Sequence, residues 1–178
     1  MTAKPAQEPE PWLRGPVPRI APLLQPVAHA LLQAVEDIRR VVTPLDHETL
    51  WARPGGAASV GFHVRHAAGA LDRLLTYARG EMLSSEQRAA LARETAPDEQ
   101  GTATAGDLVA AFEAQVERAL AQLRETSVDR LIERREVGRA KLPSTVHGLL
   151  FHGAEHTQRH VGQTIATAKI VQGTGAMR

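Results

Sequence analysis

Apolar positions recur every three to four residues in four long stretches of the chain, the spacing of amphipathic helices. Leu24, Val27, Leu31, Val35, Ile38 and Val42 share one face of a helix expected from about Leu23 to Val42. Pro26 falls in its first turn, where a missing amide costs little, and Pro44 stops it. A second helix is expected from Ala57–Ser59 to about Arg79, with Ser59 as N-cap and Gly80 as its stop. Phe62, His66, Ala70, Leu74 and Tyr77 fall along one broad face of it. Residues 80–104 read as a long connection with a helical turn at Ser84–Ala92. Thr104 and Asp107 have capping-box spacing and open a third helix, buried through Leu108, Phe112, Val116, Leu120 and Leu123. Residues 124–142 are so charged that they read as a solvated connection. The fourth helix follows Pro143 and Ser144, from Thr145 to Val171, and its Gly148, Gly153 and Gly162 would permit close helix approach.

No segment alternates apolar and polar residues in the manner of a strand, so the expected fold class is all-α, a four-helix bundle without strands. The long connection between helices two and three can return along the bundle, which would let those two run parallel. Residues 1–22 hold six prolines and read as an extended arm that Trp12 could pin to the body. The expected organisation is therefore the arm (1–22), the bundle (23–172) and a frayed tail (173–178).

Composition sharpens this picture by exclusion. The 178 residues are 43% hydrophobic but only 3% aromatic, and the net charge of +1 disfavours a nucleic-acid partner. Zero cysteines rule out disulfides, cysteine-ligated metals and a thiol nucleophile of the protein's own. No membrane partner is expected, because no apolar run is long enough to span a bilayer. A cytoplasmic location is the default expectation.

The chemistry lies in the histidines. Five of the eight fall in two windows: His63 and His66 on the second helix, and His152, His156 and His160 on the fourth. Two pairs at spacing four occur where about 0.35 are expected by chance, and helical residues four apart are neighbours. His152, His156 and His160 share the stripe of Leu149, whereas His147 points the opposite way. Several inward imidazoles repel one another when protonated and are costly when unpaired; a divalent cation resolves both problems. His156 and His160 would supply two ligands, and His66 or His63 the third. Three histidines without a fourth protein ligand leave an open position, the arrangement of a catalytic metal site. Thr157 follows His156, so the HExxH pattern of zinc proteases is absent, and Glu155 points away as an outer or surface group.

The segments GFHVRHAAGALDRLL, preceded by WARPGGAAS, and LLFHGAEHTQRHVGQ resemble the helix-two and terminal patterns of the DinB/YfiT-like superfamily of metal-binding four-helix bundles. The resemblance spans roughly residues 23–171 and implies His66, His156 and His160 as metal ligands. His63, His152 and Arg73 are additional or outer-sphere candidates, and no catalytic residue is assigned. The resemblance also implies a small-molecule substrate and the use of a low-molecular-weight thiol such as bacillithiol, mycothiol or glutathione. Arg73 could then hold an acidic part of that thiol. Transfer of the thiol sulfur is the leading expectation, a hydrolase using bound water the second, and a non-catalytic stress-response protein the third. Three imidazoles suit Zn, Ni, Cu or Fe, with Zn or Ni foremost. A homodimer is left open.

Overall fold

The computed structural model describes residues 8–94 and 102–175. Four long helices form the body: α1 (Gln25–Val42), α3 (Val60–Arg79), α5 (Ala105–Glu125) and α6 (Val146–Gly175). Two shorter ones lie in the connections, α2 (His47–Trp51) and α4 (Ser85–Glu94). Each of α1 and α3 packs against both α5 and α6, so α1 and α3 stand diagonally across the bundle.

The helix ends follow local chemistry. Ser59 accepts from the Phe62 amide at the start of α3, and Gly80 closes the helix in the left-handed region at φ 85°. Thr104 and Asp107 form a reciprocal capping box on α5. Ser84 and Gln87 do the same for α4, with amide contacts of 2.9 and 3.2 Å.

Helices α3 and α5 run parallel. Near their starts the Trp51 ring lies on Gly61 and its indole donates to the Ala103 carbonyl. Near their ends Gln122 bonds both Leu75 and Arg79. Helix α6 runs antiparallel to α3, since His63 meets His160 while His66 meets His156.

The stripe of α3 that fills the core is Val60, Val64, Ala67, Leu71, Leu75 and Ala78. On the broad face beside it Ala70 and Tyr77 are buried, and Phe62, His66 and Leu74 are half-buried. Two expectations about α6 need correction. Of Gly148, Gly153 and Gly162 of α6, Gly153 alone lies against another long helix: a Cβ there would stand 3.2 Å from Leu71 Cδ1, while around Gly162 there is open space. Gly148 faces Ser144 and Thr145 in the preceding strand. Helix α6 also continues past Val171 to Gly175, and residues 176–178 lie outside the described residues.

The expectation of no strands fails within the charged stretch. β1 (Arg134–Val137) and β2 (Leu142–Thr145) pair antiparallel, with Arg134 opposite Thr145 and Val137 opposite Leu142. Gly138 at φ 69° and Lys141 at φ 50° supply the left-handed turn positions that close it. Leu131 is buried just before the hairpin, and Arg135 donates to the Ala78 carbonyl at the end of α3. Four-residue strands reading RREV and LPST carry too few apolar residues to announce themselves.

The described part of the arm, from residue 8, is draped on α1, but not by Trp12. That side chain is 60% exposed. Gln25 instead bonds both backbone groups of Val17 and the Ile20 carbonyl, and Arg14 pairs with Glu36. His29 joins in, with Nε2 at 3.0 Å from the Gly15 carbonyl.

Candidate metal centre

The antiparallel α3 and α6 bring three imidazoles to one point. One nitrogen from each of His66, His156 and His160 lies within 4.8 Å of the others, a group able to hold a metal ion. The Nε2 atoms of His66 and His156 are 3.2 Å apart. Two nitrogens held at about 2.0–2.1 Å by a tetrahedral ion stand about 3.3 Å from each other, so the spacing fits. His160 contacts both other rings edge-on, with centroids 4.6 Å away.

Each of two rings is steadied through its outer nitrogen. His66 Nδ1 lies 2.9 Å from Glu94 Oε2, the carboxylate partner that commonly fixes a ligand histidine. Glu94 comes from the end of α4 and also accepts from Arg73 Nη1 and Nη2 at 2.8 and 3.1 Å. His160 Nδ1 lies 3.2 Å from His63 Nδ1, which leaves His160 Nε2 to face the triad. In that state His160 donates through Nδ1, and His63 must accept there and carry its own proton on Nε2.

Electrostatics favour the neutral imidazoles that a cation requires. Burial, then the neighbouring His66, His156 and His63, bring His160 down to about 4. Burial and His66 also lower His63, and burial with His66 and His152 lowers His156. Burial alone would raise the Glu94 carboxyl, but the hydrogen bonds from His66 and Arg73 outweigh it and hold it below its ordinary value.

The other sequence candidates fall outside the triad. His63 is buried behind His160, in an outer position. His152 is half exposed and paired with Glu155, whose other oxygen is 2.5 Å from Arg159. Arg73 is not the exposed anion-binding residue its helix position suggested. It is buried, and its charge is met by Glu94. Beside the triad a cavity of about 280 Å³ opens between α3, α6 and the α4 segment, with His66 and His156 in its wall. The α3 residues facing it include Ala70, Leu74 and Tyr77, so part of the broad face read from the sequence lines this cavity. Glu94 escaped sequence reasoning because its partners lie 21 and 28 residues away, with no local motif.

Fold and site together define a mostly helical bundle with a three-histidine centre between two of its helices. The chain belongs to the DinB superfamily, whose model matches residues 24–164. Among solved structures, the crystal structure of a conserved protein from Enterococcus faecalis is similar, with a TM-score of 0.64 at 19% identity. The likeness covers 84% of this chain and 97% of that one, and it establishes a shared fold. No curated protein matches the chain. Among the described residues no helix is long and apolar enough to cross a membrane.

Proposed function

We propose that the protein is a metal-dependent thiol S-transferase that joins a low-molecular-weight thiol through its sulfur to an electrophile, the thiol giving up its proton and the electrophile its leaving group, with His66, His156 and His160 holding the metal. The observation that favours a thiol over water is that, among the described residues, no spare carboxylate stands at the centre. The triad is three imidazoles with no carboxylate among them, and both oxygens of Glu94 are already bonded. Activating water calls for a base beside it, whereas a thiol starts with a pKa of about 8.5. A divalent cation in the triad would supply positive charge that lowers a thiol's pKa further. The chain's own contribution is to aim His66 through Glu94 and His160 through His63, and by burial to favour the neutral form of His156 and His160. Because the protein has no cysteine, the nucleophilic sulfur must arrive with a cosubstrate.

Cobalt substitution tests this reading. Bacillithiol, mycothiol or glutathione should produce the charge-transfer band of sulfur–cobalt ligation, with the thiol consumed when an electrophile is added. If all three leave the spectrum of the loaded protein unchanged, the thiol reading is wrong. Ester hydrolysis without thiol would then favour the hydrolase, with His152 in the cavity wall as its candidate base.

A further inference from the structure

The cavity beside the triad carries information about the second substrate. Its wall away from the histidines is apolar, formed by Ala70, Leu74 and Tyr77 of α3 with Leu83 and Leu91 from the α4 segment. At about 280 Å³ it lies at the small end of ligand-binding pockets. Among the described residues of the lining Arg73 is the one permanently charged side chain, and both its terminal nitrogens are committed to Glu94. That pair is buried, with side chains 10% and 5% exposed. Recruiting Arg73 to an anionic ligand would strand the Glu94 carboxylate in the interior and take the partner from His66.

The remaining titratable groups facing the cavity are His66 and His156 of the triad, His152, and the Tyr77 phenol. His152 is half exposed and already answered by Glu155. The space is therefore apolar and electrically compensated, and polar on the side where the triad sits.

We infer that this cavity is the subsite for an uncharged, apolar group of the second substrate, about the size of a substituted benzene ring, with the reactive atom directed at His66 and His156. The inference rests on the reading of the triad as a substrate-activating centre. It adds that the thiol's polar and charged parts stay outside this space. Selectivity comes from two sources: the wall away from the triad offers an anion no free cation, because Arg73 is committed to Glu94, and bulky groups meet Leu83 and Leu91. The α4 segment is held in place by Gln87, which donates to Asp72 and Thr76 of α3, and by Glu94.

The test uses full-length protein stripped of metal, so that no cation draws the anion, and two ring probes of similar size, 4-fluorobenzyl alcohol and 4-fluorobenzenesulfonate, followed by fluorine NMR without thiol or turnover. The alcohol should bind saturably, and the sulfonate roughly tenfold or more weakly. Ala70→Leu, which fills the cavity from α3, and Leu91→Trp, which fills it from the α4 segment, should each weaken the alcohol roughly tenfold at unchanged helix content. Two variants on separate elements keep the test valid if one of them misfolds. Equal or tighter binding of the sulfonate, or undiminished alcohol binding in the folded variants, would overturn the inference. Because no thiol is present, these outcomes are separate from those of the cobalt experiment: an alcohol-filled cavity with no sulfur band overturns the thiol reading alone.

Discussion

Glu94 is the residue on which the orientation of the centre turns. It fixes His66 through Nδ1 and neutralises Arg73, two tasks for one buried carboxylate. Glu94→Gln should lower metal affinity by about 10–100-fold, read by competition with a chelating dye. An unchanged affinity would show that the carboxylate does not orient the ligand. Glu94→Ala leaves a buried arginine unpaired and should cost about 3–5 kcal/mol in denaturant unfolding. The ligands themselves separate cleanly: His156→Ala should abolish stoichiometric metal, while the exposed His147→Ala should retain it. Acid sensitivity follows from His160, whose folded value of about 4 lies below the ordinary 6.5. Between those values the unfolded chain binds more protons than the folded one, so protonation favours unfolding. Metal-stripped protein should lose stability as pH falls from about 6.5 towards 4, and His160→Gln should flatten that loss.

At the scale of elements, two glycines decide what can dock on α3. A Cβ at Gly69 would clash with Glu94 Oε1, part of a carboxylate that Arg73 holds in place. Gly69→Ala should therefore displace the end of α4, raising amide exchange there and weakening metal binding as Glu94→Gln does. Exchange in α4 at the wild-type rate would show that the pair can shift sideways at no cost. At Gly61 a Cβ would lie 2.7–2.9 Å from three atoms of the Trp51 ring, which is rigid and hydrogen-bonded to Ala103. Gly61→Ala should destabilise by about 1–3 kcal/mol, measured by thermal or urea unfolding, through overpacking.

For the whole molecule, the centre joins α3 to α6 and, through Glu94, to α4. A cation that binds only the folded chain must stabilise it, by about 2.7 kcal/mol at a hundredfold excess over its dissociation constant. Adding zinc to the stripped protein should raise the unfolding midpoint, chelation should reverse the rise, and His66→Ala should remove it. A midpoint indifferent to zinc in the wild-type protein would argue against a centre in the folded state.

The four long helices were legible in the sequence because each is a local matter: apolar residues at helical spacing, a cap at Ser59 or Thr104, a stop at Gly80. So was the clustering of histidines, since residues four apart on one helix are neighbours wherever the helix packs. The sequence could not place the β-hairpin, because strands of four residues are held by cross-strand pairing and by docking on α3, with little signal in their own side chains. Nor could helical spacing tell which of two adjoining faces of α3 fills the core and which lines a cavity; the position of α4 decides that. The same packing buries Arg73, brings Glu94 to His66 across 28 residues, and puts His63 behind His160. Local periodicity thus determined the helices and their chemistry-bearing faces. Which faces meet, and which charges cancel where they meet, was settled by contacts between residues far apart in the chain.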